Sequence, residues 1–147
     1  MIYQILVHIH SMLRWLVLLA MLVVVIRSLF LLITREQESS AGKKIPAVGL
    51  SLLHLQFLIG LILYFISPKV IFAGSSMSNS LLRFYLLEHI ALMVLAVSFA
   101  TIGVAGSAKI LIPQKKHTRI FIFFLLSLVA ILFAIPWPWR PLSAGWF

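Results

Sequence analysis

The chain contains no cysteine and no aspartate, and its three acids, Glu36, Glu38 and Glu88, stand against twelve lysines and arginines in 147 residues. Without cysteine there are no disulfides, no thiolate-held iron–sulfur clusters and no covalently attached c-type haem. Glu88 is the one acid inside an apolar stretch, so a two-carboxylate hydrolytic site lacks its second member. H-E-x-x-H, G-x-S-x-G and a phosphate-binding glycine loop are absent as well. Charge is scarce throughout: 10% of residues are charged, 63% are hydrophobic, and the mean hydropathy is +1.14. A soluble domain of this length cannot cover so much apolar surface, whereas a bilayer accepts it. The formal charge of +9 would suggest nucleic acid in a soluble protein. Here the basic residues gather at the edges of apolar runs, as membrane topology requires, and no nucleic-acid partner is expected.

What is present is four long apolar stretches. They predict an all-α protein: an integral membrane four-helix bundle, antiparallel and up-down-up-down. A single transmembrane domain fills residues 1–147, with spans at roughly 5–33, 46–66, 81–106 and 115–136. The N-terminus has neither a basic n-region nor a small-residue cleavage site, so the first helix is expected to be retained. Pro46 suits the first turn of the second span, Ser67-Pro68 ends that span, and Ser78-Asn79-Ser80 offers N-caps for the third.

Basic residues set the orientation. Arg35, Lys43, Lys44, Lys109, Lys115, Lys116 and Arg119 fall in the loops between spans one and two and spans three and four. Lys69, Arg83 and Arg140 fall on the other side. The positive-inside rule then places the basic loops in the cytoplasm and both termini outside, in a multi-pass protein of a bacterial inner membrane. Trp137, Trp139 and Trp146 gather on the outer side as an aromatic belt.

Each span carries or abuts a histidine: His10, His54, His89 and His117. Ionisable groups are costly in hydrocarbon and usually face a bundle interior, and neutral imidazole is the commonest protein ligand for metals. Two ligands of one haem iron must lie at similar depth. With a rise of about 1.5 Å per residue, His10 lies roughly 13 Å from Met1 and His89 roughly 9 Å from Arg83, while His54 and His117 lie roughly 12 Å and 6 Å from Pro46 and Pro113. His10 and His89 are therefore the expected metal ligands of one haem b. His8 stands about 200° round the helix from His10 and cannot share its centre. His54 is a candidate for a second haem, a quinone pocket or a hydrogen bond between helices. His117, in Lys115-Lys116-His117-Thr118-Arg119, reads first as an anchor for phosphate.

Further residues follow from this pair. Ala96, Ala100, Gly103 and Ser107 share the helix face of His89, and small side chains there admit either a flat macrocycle or a neighbouring helix. Arg14 lies one turn after His10 and is expected to pair with Glu88, since an isolated buried charge is costly. Arg14, Arg83 and Arg140 are alternatively candidates for the two haem propionates, while Arg83 at the span edge also suits snorkelling to headgroups.

The stretches His10-Ser11-Met12-Leu13-Arg14-Trp15, Ser67-Pro68-Lys69-Val70, Leu82-Arg83-Phe84-Tyr85 with Glu88-His89, and Ile135-Pro136-Trp137-Pro138 add a resemblance. Over essentially its full length the chain resembles small four-helix bacterial membrane proteins labelled cytochrome-b-like. The resemblance implies haem b held by His10, His89 and, for any further haem, His54 and His117. Three functions stay open: an electron-transfer cytochrome or redox subunit, a non-catalytic accessory subunit without its own cofactor, and a porphyrin- or quinone-handling enzyme. The expected partners are the bilayer, other membrane subunits or a second copy of the chain, and a quinone.

Overall fold

The computed structural model describes residues 1–36 and 39–142. It is all-helical, with no strand among the described residues. Helix α1 runs over Ile2–Thr34, and Arg35 closes it in the left-handed region at φ 56°, its N–H donating to the Leu31 carbonyl. At about 1.5 Å per residue its 33 residues extend about 50 Å, well beyond an apolar slab of about 30 Å. Helix α2, Ile45–Ile66, carries Pro46 in its first turn and is preceded by a 3₁₀ turn at Gly42–Lys44. It stops at Ser67, which turns extended ahead of Pro68.

Helix α3 spans Ser80–Ser107. Of the expected N-caps, Asn79 takes the role: its Oδ1 accepts from the Leu81 and Leu82 amides at 3.0 and 3.2 Å. One turn inside, Phe84–Glu88 widens to a π-helix before regular helix resumes at His89. Helix α4 covers Pro113–Ala134, with proline again in the first turn. The predicted spans and the observed helices agree to within a few residues at their ends. Trp146, placed in the aromatic belt from the sequence, lies outside the described residues.

All four helices are long and apolar enough to cross a membrane. Helix α1 packs on α2 and α4, α2 packs on α3, and the most extensive contact joins α3 to α4. Val17, Met21 and Val24 of α1 meet Leu53 of α2, Ala96 and Ala100 of α3, and Phe124 of α4 in the core. Outward faces stay apolar, with Ile26, Leu58, Ile62, Val94 and Phe133 exposed. Apolar surface of this extent suits contact with lipid or with another apolar surface.

The small-residue strip resolves in favour of helix packing. Ala96, Ala100, Gly103 and Ser107 are all buried. A Cβ on Gly103 would stand 2.8 Å from the Phe123 Cβ, and Ser127 donates to the Ala96 carbonyl at 2.8 Å. Of the two occupants left open for this strip, a macrocycle or a neighbouring helix, the structure shows the helix: α4 packs there.

Candidate cofactor cavity

A partly open cavity of about 170 Å³ lies between the helices at the end of the bundle marked by Ser67 and Pro136, and its polar lining includes His10, Arg14, Gln56, Tyr85 and His89. The rings of His10 and His89 come together there in an edge contact, their centroids 6.5 Å apart and their planes inclined by 70°. The pairing inferred from depth along the chain is thus realised as proximity. His8 is exposed on the opposite face of α1.

The end of α4 explains how His89 is held. Pro136 and Pro138 have no N–H, so the carbonyls of Leu132 and Ala134, four residues before them, lose their backbone donors. Side chains replace them. The Trp137 indole donates to Leu132 at 2.9 Å, Arg140 to Phe133 at 3.1 Å, and His89 Nδ1 to Ala134 at 2.7 Å. A carbonyl only accepts, so Nδ1 of His89 carries the proton and a neutral ring keeps its lone pair on Nε2. Metal-bound histidines are commonly fixed in this way, through a hydrogen bond from the second ring nitrogen.

His10 is seated by α2. Gln56 donates through Nε2 to the His10 carbonyl at 2.9 Å, which fixes its amide orientation. A Cβ on Gly60, one turn along, would come within 2.9 Å of the His10 ring, so glycine makes room for the imidazole. Two buried atoms, His10 Nδ1 and Gln56 Oε1, have no hydrogen-bond partner among the described residues. Buried polar atoms are normally satisfied, so orphans beside a cavity mark a place for a ligand or water.

The charges differ from expectation. Glu88 pairs with Arg83, its carboxylate accepting from Nε at 2.8 Å, rather than with Arg14. The π turn is the reason. Residues five apart stand about 140° round a regular α-helix, but a turn closed from i to i+5 stacks them. Arg83 also reaches the Met77 carbonyl at 3.3 Å and does not line the cavity. Arg140 caps α4 and lies over the Phe84 ring at 5.0 Å. Of the three arginines considered for propionates, Arg14 alone lines the cavity.

The other histidines stand elsewhere. His54 is half-buried, donates through Nδ1 to Leu50 in its own helix at 3.0 Å, and does not line the cavity. His117 is buried at the far end of the bundle, in a separate cavity. Among the described residues no group of three or more His, Cys, Asp or Glu could hold a metal, so a bare ion would find two imidazoles only.

Several lining residues escaped the sequence reading. Tyr3 and Ser67 share a hydrogen bond of 3.3 Å, Tyr64 donates to Leu86 within the π turn at 2.9 Å, and Lys69 lies over the Tyr85 ring at 5.1 Å. Gln56 and Gly60, one turn apart in an apolar helix, were the available signal. Comparison with protein-family models, curated proteins and solved structures finds no match.

Proposed function

We propose that this chain is an antiparallel membrane bundle, cytochrome-b-like, that holds one haem b between His10 and His89 and passes electrons in a bacterial inner membrane. The observation that carries this is the spacing of the two rings. Imidazoles that share a metal at about 2 Å from each nitrogen have centroids about 6 Å apart, and these stand at 6.5 Å. The donor set fits the group: two histidines, one with its tautomer fixed by Ala134, and a guanidinium, Arg14, for a propionate. His10 and His89 would hold the haem, and the bound group would supply one-electron transfer. Gln56 and Gly60 position His10, the Ala134 carbonyl orients His89, and apolar walls from Val17, Leu53 and Ile131 restrict water. The positive-inside rule favours both termini outside, which puts the cavity in the outer leaflet.

A visible spectrum, reduced minus oxidised, of purified protein and its variants tests the assignment. Wild type should show a b-type spectrum; His10→Ala and His89→Ala should each abolish or strongly alter it, and His8→Ala should leave it intact. Unaltered spectra in both ligand variants would remove the assignment. The second reading is an accessory subunit whose polar groups serve helix contacts alone. Gln56 to the His10 carbonyl and Ser127 to the Ala96 carbonyl favour it, since such bonds hold membrane helices together without a cofactor.

A further inference from the structure

His89 follows directly on the π turn at Phe84–Glu88, a feature that ligation of iron by two histidines does not itself require. A π turn holds one residue more than an α turn, is rare, and recurs at functional sites. Here the His89 N–H donates to the Phe84 carbonyl, five residues back. In a regular helix Phe84 and His89 would stand about 140° apart and could not meet. The widened turn stacks them instead. Their ring centroids lie 5.9 Å apart with planes tilted by 47°, a favourable aromatic contact.

Phe84 is itself braced. It is 1% exposed, and the Arg140 guanidinium lies over its ring at 5.0 Å. The turn also has a tie to a second helix: the Tyr64 hydroxyl of α2 donates to the Leu86 carbonyl at 2.9 Å. Tyr64 lines the same cavity as His89, and its ring packs edge-on against Phe72 at 5.4 Å. Arg83 and Glu88 close the outer side of the turn. Two contacts therefore act on the His89 ring, the Ala134 carbonyl at Nδ1 and Phe84 at its side. A hydrogen bond at Nδ1 tolerates some tilt of the ring, and packing against a flat neighbour removes that freedom.

We propose that Phe84, brought to His89 by the π turn and kept there by the Tyr64 hydroxyl, is a positioning residue that sets the plane of the His89 imidazole. Neither side chain is a ligand; both act through His89, as contacts beyond the ligands orient them and tune the metal. The consequence for iron rests on the haem reading, whereas the seating of the ring does not, so the two can fail separately. The quantity at stake is the 70° inclination between the His10 and His89 rings. Steeply inclined axial imidazoles give a ferric haem a strongly anisotropic low-spin resonance, and near-parallel ones a rhombic resonance.

Detergent-purified full-length protein tests this with Tyr64→Phe, which removes one hydroxyl, and Phe84→Leu, which removes the ring. Leu87→Ala, at an exposed position of the same turn, is the control. NMR of protein carrying isotope-labelled histidine reads exchange of the His89 Nδ1 proton with water, with or without haem. Tyr64→Phe and Phe84→Leu should each speed that exchange about fivefold, the weight of one neutral hydrogen bond. Leu87→Ala should change it less than about twofold. In haem-loaded protein, electron paramagnetic resonance should show the anisotropic signal in wild type and Leu87→Ala, and a shifted or broadened one in the other two variants. Helical circular dichroism checks folding, and Tyr64→Phe decides if Phe84→Leu does not fold. Protein without porphyrin removes the haem reading and leaves proton exchange to decide the role of Phe84. The proposal is overturned if Tyr64→Phe and Phe84→Leu exchange at the wild-type rate, if Leu87→Ala exchanges as fast as they do, or if both leave the resonance of loaded protein unchanged.

Discussion

His10 and His89 illustrate how a single side chain is committed by its surroundings. Each imidazole is seated by a different device: a glycine-made space and a glutamine for His10, a proline-freed carbonyl for His89. The charges nearby follow equally local rules. Arg83 and Glu88 pair at the bundle's edge with side chains 44% and 38% exposed, so their coupling should be small, about 0.2–1 kcal/mol. A double-mutant cycle of Arg83→Leu and Glu88→Leu should recover that value, measured by thermal unfolding in detergent. The cycle of Arg14→Leu with Glu88→Leu should be additive within about 0.5 kcal/mol. Strong coupling between Arg14 and Glu88 would restore the pairing that the sequence suggested. That suggestion failed because the π turn at Phe84–Glu88 has no sequence signature, and it alone brings residues five apart together. The His10–His89 pair was legible because depth depends only on helix rise and span order.

At the scale of elements, α3 and α4 approach closely because α3 offers Ala96, Ala100, Gly103 and Ser107 as one face. In lipid no hydrophobic force drives helices together, so small residues and interhelical hydrogen bonds carry the contact. Gly103→Ala should destabilise the protein by about 1–3 kcal/mol, because its Cβ would crowd Phe123 and backbone would have to shift. Thermal denaturation reads this, with Gly74→Ala as a control where a Cβ meets nothing within 4 Å. Equal stability of Gly103→Ala and wild type would show that the helices separate easily. Helix limits were readable from the sequence because prolines and Asn79 mark them through lost or supplied hydrogen bonds. The face on which the strip lies was readable too, but its occupant was not. A small residue permits close approach without naming what approaches.

For the whole molecule, four apolar helices place two differently built cavities at opposite ends, one with paired imidazoles and one ringed by cations. Basic residues concentrate at the second end, and the proposed orientation, taken from the positive-inside rule, has that end in the cytoplasm. Reporter fusions after Ser40 and after Gln114 should therefore read cytoplasmic, and a fusion after Ser76 external. The reverse pattern would invert the leaflet assigned to the His10–His89 cavity. His54 and His117 do not share a cavity with that pair or with each other, so one haem per chain is expected. The most direct test is the iron and porphyrin content of wild-type protein purified from haem-sufficient cells. One b-type haem per chain is the predicted result; protein free of porphyrin and iron would contradict the account and leave the accessory-subunit reading in its place.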